Sequence, residues 1–142
     1  MKLNIRNLII TLSLTAFISP ASFALSLQLK KAKAESEQKI EEITKKIETD
    51  CGCKPKIDVN WESFPTKNDF KWSSRMLEGA SQGMALVCKD FKKEVCNGVK
   101  SIKLSLKKPM VKTLKDGVLE LSSDGNALWG KDAVQKLIEE NL

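Results

Sequence analysis

Histidine and tyrosine are absent from the 142 residues. Without histidine the chain has no imidazole to act as a general base near neutral pH, no Ser-His-Asp or Cys-His device, and no imidazole-ligated metal. Five phenylalanines and three tryptophans are its only aromatics, and none interleaves with the lysine run after Val99, so a base-stacking nucleic-acid platform is not expected. No apolar run reaches the roughly 20 residues of a bilayer span. The longest, Leu8 to Ile18, has 11 residues and includes threonine and serine. What the chain does have is charge, 24 basic against 18 acidic residues for a net +6, together with 42% hydrophobic residues. That balance supports one folded domain and argues against a disordered chain.

The apolar run sits where an export signal belongs. Lys2 and Arg6 precede it, Ser19-Pro20 breaks it, and Ser22-Phe23-Ala24 places small residues at −3 and −1 of a cut before Leu25. Residues 1–24 are therefore expected to be a signal peptide. The mature chain, 25–142, would carry 22 basic and 18 acidic residues, a net +4. Its address would be the periplasm or the medium beyond, with no membrane span remaining.

Cys51, Cys53, Cys88 and Cys96 form an even set in a small exported domain, which points to two disulfides. The C-x-C and C-x7-C spacings are not the C-x2-C pairs of zinc ribbons, nor the C-x-x-C of thioredoxin-like redox sites. Neither a metal nor a cofactor is expected.

Residues 27–49 are predicted to be helical, with Ala32, Ser36, Ile40, Ile43 and Ile47 on one face and Glu–Lys pairs four apart on the others. Gly52 is suited to a left-handed exit. Ile57, Val59 and Trp61 alternate with Asp58, Asn60 and Glu62, a half-buried strand. A long amphipathic helix is predicted from Asp69 to Val95, its apolar face formed by Met76, Leu77, Ala80, Met84, Val87, Cys88, Phe91 and Val95. Gly79 and Gly83, one turn apart on it, would allow another backbone to approach closely. Strands follow at Val99–Leu106, Met110–Lys115 and Val118–Leu121, the first two joined by a Lys107-Lys108-Pro109 turn and the last two by an Asp116-Gly117 hairpin turn. A short C-terminal helix carries Ala133, Val134, Leu137 and Ile138.

The resulting order, α-β-α-β-β-β-α, predicts a single α+β domain: a small four-stranded mixed or antiparallel sheet packed on a long amphipathic helix. It also constrains the disulfides. In an unbroken helix Cys88 and Cys96 lie about 12 Å apart along the axis, beyond the roughly 4.4–6.8 Å that a bridge spans. A strand–helix–strand crossover with parallel strands starts both strands at one end of the sheet. Cys53 begins the first strand and Cys96 leads into the second, so the bridges should cross, Cys51–Cys88 with Cys53–Cys96.

Lys100, Lys103, Lys107, Lys108, Lys112 and Lys115 form a run with no acid between them. If their strands pair through the Pro109 turn, several share a sheet face that could hold an anionic partner. Trp72, slightly off the apolar face of the long helix, is a candidate partner contact. Asp58 and Glu62, four residues apart on the polar face of a strand, would stand about 13 Å apart, too far for a glycosidase pair. Asp124 lies in a turn lacking the calcium-loop pattern, and Ser36 with Lys39 matches S-x-x-K by letter on an exposed helix flank. The function expected is a non-enzymatic exported module that binds another exported or envelope protein, such as an inhibitor, immunity or accessory factor. The alternatives are a binder of an anionic envelope glycan or small ligand through the lysine face, and an enzyme of unrecognised type.

Overall fold

The computed structural model describes residues 20–142; residues 1–19 of the expected signal peptide lie outside them. Helix α1 spans Pro20–Cys51, beginning ahead of the expected residue 27. Its predicted face is the one that packs: Ser36, Ile40 and Ile47 are buried, Ala32 and Ile43 rest against the core, and Thr44, outside the predicted set, is buried beside them. Ser36 is thus not on an exposed flank, and no Ser36–Lys39 dyad faces solvent. Of the expected Glu–Lys pairs, Glu41–Lys45 closes at 2.9 Å. The Lys45 ammonium donates to Glu41 and holds that carboxyl below the usual carboxylate range. Gly52 leaves the helix at φ +78°, as its lack of a Cβ permits.

Strand β1 is shorter than predicted, Lys56–Val59. The chain turns into one 3-10 turn at Trp61–Ser63, so Glu62 does not extend the strand's polar face. The cause is aromatic packing: Trp61 lies 6.0 Å from Phe64 and 5.7 Å from Phe70, centroid to centroid. Those contacts pull its indole out of the alternation. Helix α2 runs Phe70–Gly98 with a break at Phe91, where φ is −128° and ψ 44°. Strands β2 (Ser101–Leu106), β3 (Lys112–Lys115) and β4 (Val118–Ser123) and helix α3 (Lys131–Glu139) complete the domain.

The sheet order is β1-β2-β4-β3, with β1–β2 and β2–β4 parallel and β3–β4 antiparallel. It is mixed, and the β1-α2-β2 crossover brings parallel neighbours together as expected. The Pro109 segment, however, does not join adjacent strands: β4 lies between β2 and β3. Burial explains the order. β2 contributes Ile102 and Leu104 to the core and β4 contributes Leu119 and Leu121, all at 0–1% exposure. Leu114 is the only apolar residue that β3 turns inward, and the strand carries lysines at both ends, the composition of an edge strand. The crossing segment is pinned over the end of β4: Lys107 N–H donates to Ser123 O at 2.8 Å, and Ser122 N–H donates to Val111 O at 2.9 Å. The Asp116-Gly117 hairpin turn forms as predicted, with φ of 52° and 78°.

One sheet face is covered by α2 and α3, and α1 packs on α2. Close approach of α3 to α2 is made possible by two glycines. A Cβ on Gly79 would stand 2.9 Å from the Trp129 carbonyl oxygen, and one on Gly83 2.8 Å from that of Lys131. Both crossing disulfides are present, with Cα separations of 5.2 Å for Cys51–Cys88 and 5.7 Å for Cys53–Cys96. No helix among the described residues is long and apolar enough to cross a membrane.

Ser81 on α2 is 2% exposed, and its hydroxyl has no hydrogen-bond partner among the described residues. An orphaned buried hydroxyl carries its desolvation cost uncompensated. Ser81→Ala should therefore raise the unfolding free energy by about 1 kcal/mol, helped by alanine's better helix propensity. Urea denaturation reads this as a higher midpoint at unchanged slope.

Candidate functional site

The lysine run is adjacent in sequence and scattered in space. Lys103 points from β2 to the open sheet face, but its cross-strand neighbours are Asp58 on β1 and Glu120 on β4. These carboxylates flank the ammonium on both sides and offset its charge locally. Lys115 is also on the open face, at the hairpin end of β3. Lys112 lies on the inner side, its ammonium 5.3 Å above the Trp129 ring and donating to Ala133 O at 3.3 Å. Lys100 folds back to donate to Cys96 O at 3.0 Å. Lys107 and Lys108 sit in the crossing segment at the opposite end of the sheet. Trp72 is in the helical layer, half-buried, with Arg75 and Lys71 at 5.5 and 5.8 Å from its ring. The seven candidates share no surface.

Asp124 and the two remaining tryptophans have structural roles. Asp124 accepts hydrogen bonds from the backbone N–H groups of Asn126 and Ala127, both at 2.9 Å, and these hold its carboxyl below the usual range. It caps a turn. Trp129 stands just before the α3 N-cap, Gly130, and its indole N–H donates to Val111 O at 2.8 Å. It ties the crossing segment to the last helix. Trp61 is half-buried against the core with the Lys33 ammonium 5.3 Å above it.

A cationic site does exist, in the helical layer. Lys46 from α1, Lys89 and Lys92 from α2, and Lys131 from α3 line one groove of about 620 Å³ beside the Cys51–Cys88 bridge. Asp50 supplies its single carboxylate, and Gln82, Ala85, Leu86 and Cys88 complete the walls. All four lysines are exposed. Among the described residues none of their ammonium groups is within ion-pair distance of a carboxylate.

Each is placed by a different local cause. Lys46 is next to Ile47, whose burial fixes the rotation of α1. Lys89 and Lys92 lie on the bridged segment of α2, between Cys88 and Cys96. Lys131 opens α3, whose first turn is seated on Gly83. The open sheet face holds a smaller depression lined by Asp58, Asn60, Lys103, Ser105 and Glu120. It carries two carboxylates to one ammonium, the opposite sign to the helical groove.

The chemistry available in the helical groove is attraction of an anionic surface by unpaired ammonium groups, with Leu86 and Ala85 offering apolar contact between them. Sequence reading passed over it because its lysines come from three helices up to 85 positions apart. The one signal was geometric: Lys46, Lys89 and Lys92 all lie within eight residues of a bridged cysteine. Comparison of the chain with protein-family models, with curated proteins and with solved structures finds no match to any of them.

Proposed function

We propose that the protein is an exported, non-enzymatic module that binds the acidic surface of another exported or envelope protein through the three-helix lysine groove. The observation that carries this reading is the convergence of four unpaired ammonium groups on a groove with one carboxylate. A chain that lays such a field on a frame locked by two disulfides keeps the charges in register for a partner, and preorganisation lowers the cost of binding. The apolar floor between the lysines favours a protein over a polyanionic glycan, because glycan carboxylates and phosphates gain nothing from Leu86. Export is supported by the two disulfides and by the leader pattern of residues 1–24.

The test is charge reversal in the groove. Lys46→Glu, Lys89→Glu and Lys92→Glu together should move the thermal midpoint little, since exposed charges contribute about 0–1 kcal/mol each. Association with the partner should slow about a hundredfold at low salt and lose its salt dependence. Immobilised protein challenged with periplasmic extract at low and high salt reads the effect. The comparison triple, Lys103→Glu, Lys107→Glu and Lys115→Glu, should bind as the parent does. Retention that survives reversal of the groove overturns the proposal, and salt-sensitive retention of glycan in place of protein restores the anionic-glycan reading.

A further inference from the structure

A phenylalanine stands outside the core where the helical pattern places it inside. Met84, Val87, Cys88 and Val95 share the apolar face of α2 and are 0–2% exposed, whereas Phe91, on that same face by periodicity, is 51% exposed. The cause is the backbone at Phe91 itself, φ −128° and ψ 44°, which interrupts the helix and turns the ring outward. The break lies between Cys88 and Cys96, each bridged to the Cys51–Cys53 segment. The exposed ring is therefore mounted on the most heavily cross-linked part of the molecule. Leaving a phenyl half in water forgoes burial free energy that an ordinary core helix would gain. Leu27 and Leu142, the other large hydrophobics exposed to this degree among the described residues, lie near the two ends of the described chain.

The neighbours of Phe91 say what would cover it. Lys89 and Lys92, on either side in sequence, line the lysine groove, and Lys92 and Lys93 line a second depression with Cys96 and Asn97. Asp90 and Glu94 are exposed on the same segment. A uniformly anionic lipid surface would attract the lysines but repel both carboxylates. A protein surface can present acids to the lysines and leave the acids of this segment unopposed. Aromatic residues, phenylalanine among them, are enriched at protein interfaces, whose rims are polar.

We infer that Phe91 is the apolar anchor of the interface, inserting into a pocket on a partner protein whose rim carries carboxylates for Lys89, Lys92 and Lys93. This rests on the groove reading above and adds to it the part of the partner that is recognised.

The test uses the full chain exported in its own cell, with a photo-crosslinking phenylalanine analogue at position 91, at Gln82 in the groove, or at Leu27 as a distant control. A protein adduct should form from 91 and from 82 but not from 27, and should fall at least tenfold when Lys89→Glu and Lys92→Glu are added. With the adducted protein then purified as the probe, Phe91→Ala should weaken binding at least tenfold while keeping the parent's salt dependence. Its thermal midpoint should stay within a few degrees, because the ring is half exposed. An adduct from 82 with none from 91, or undiminished affinity of Phe91→Ala, overturns the anchor and leaves the groove reading standing. No adduct from either position overturns both. Sedimentation with phosphatidylglycerol vesicles that Phe91→Ser abolishes would reassign the surface to lipid and overturn the protein pocket.

Discussion

Replacing all four cysteines by alanine should lower the unfolding free energy by about 7 kcal/mol and leave the chain largely unfolded at 37 °C, since a domain of this size has about 5–15 kcal/mol in total. The bridges join residues 37 and 43 apart in sequence. In the chain-entropy model a first bridge closing such a loop contributes about 4 kcal/mol. The second closes a shorter circuit, out through Cys51-Gly52-Cys53 and back along Cys88 to Cys96, of roughly 12 residues, and adds about 3 kcal/mol.

The two single-bridge variants should differ. Cys51 and Cys88 are 2% and 1% exposed, whereas Cys53 and Cys96 are half-buried at the core margin. Removing the buried pair leaves a void as well as an open loop, so it should cost about 1 kcal/mol more. Urea titrations of the parent, both pair deletions and the four-fold variant measure all three quantities. Equal stability of parent and four-fold variant would mean that packing alone holds α1 to α2.

Those bridges were also the part of the tertiary structure most legible in the sequence. The inference rests on two premises, that Cys88 and Cys96 are too far apart along an unbroken helix to pair and that a strand–helix–strand crossover returns to its starting end; the helix does break at Phe91, and the crossing pairs form all the same. Both constraints are local or topological, and neither depends on side-chain detail. The same holds for the faces of α1 and α2, where 3.6-residue periodicity selects the buried positions, and for the Asp116-Gly117 turn.

The strand order was harder to see. Lys107-Lys108-Pro109 has the composition of a turn between neighbours, yet the chain crosses β4 before β3 begins. What decides it is competition among strands for the two central places. Ile102 with Leu104 and Leu119 with Leu121 outbid a β3 that offers only Leu114. Phe91 was misplaced for a related reason, since periodicity assumes an unbroken helix and one residue's φ and ψ interrupt it. The lysines show how packing rearranges sequence neighbours. A run of like charges in sequence was dispersed over two ends and both faces of the sheet, while lysines far apart in sequence were gathered by helix packing.

That packing turns on Gly83, and substitution there should separate steric fit from helix propensity. In an exposed helix interior, Gly→Ala stabilises by about 1 kcal/mol. At Gly83 the added methyl would meet Lys131 O at 2.8 Å, Val134 Cβ at 2.9 Å and Gln135 N at 3.0 Å. Two of these are backbone atoms of the first turns of α3, which cannot swing aside as a side-chain tip can. Overpacking of this kind costs about 1–3 kcal/mol, so Gly83→Ala should lose about 1 kcal/mol net. Gly83→Leu cannot be accommodated without lifting α3, whose Val134 and Ile138 are both 0% exposed. Each would give up about 1.5–3 kcal/mol of burial, and the expected loss is about 4 kcal/mol. Gln82→Ala, one residue away and exposed, should change stability by less than about 0.5 kcal/mol. Because Lys131 opens α3, lifting that helix also withdraws one ammonium group from the groove. Gly83→Ala should therefore weaken partner binding in proportion to its structural effect, whereas Lys131→Ala should weaken binding with no loss of stability. Chemical denaturation and affinity measured on the same four variants test the link. A Gly83→Ala protein more stable than the parent would show that α3 is not held against α2 at this point, and with it that the groove's third wall is not fixed by the glycine.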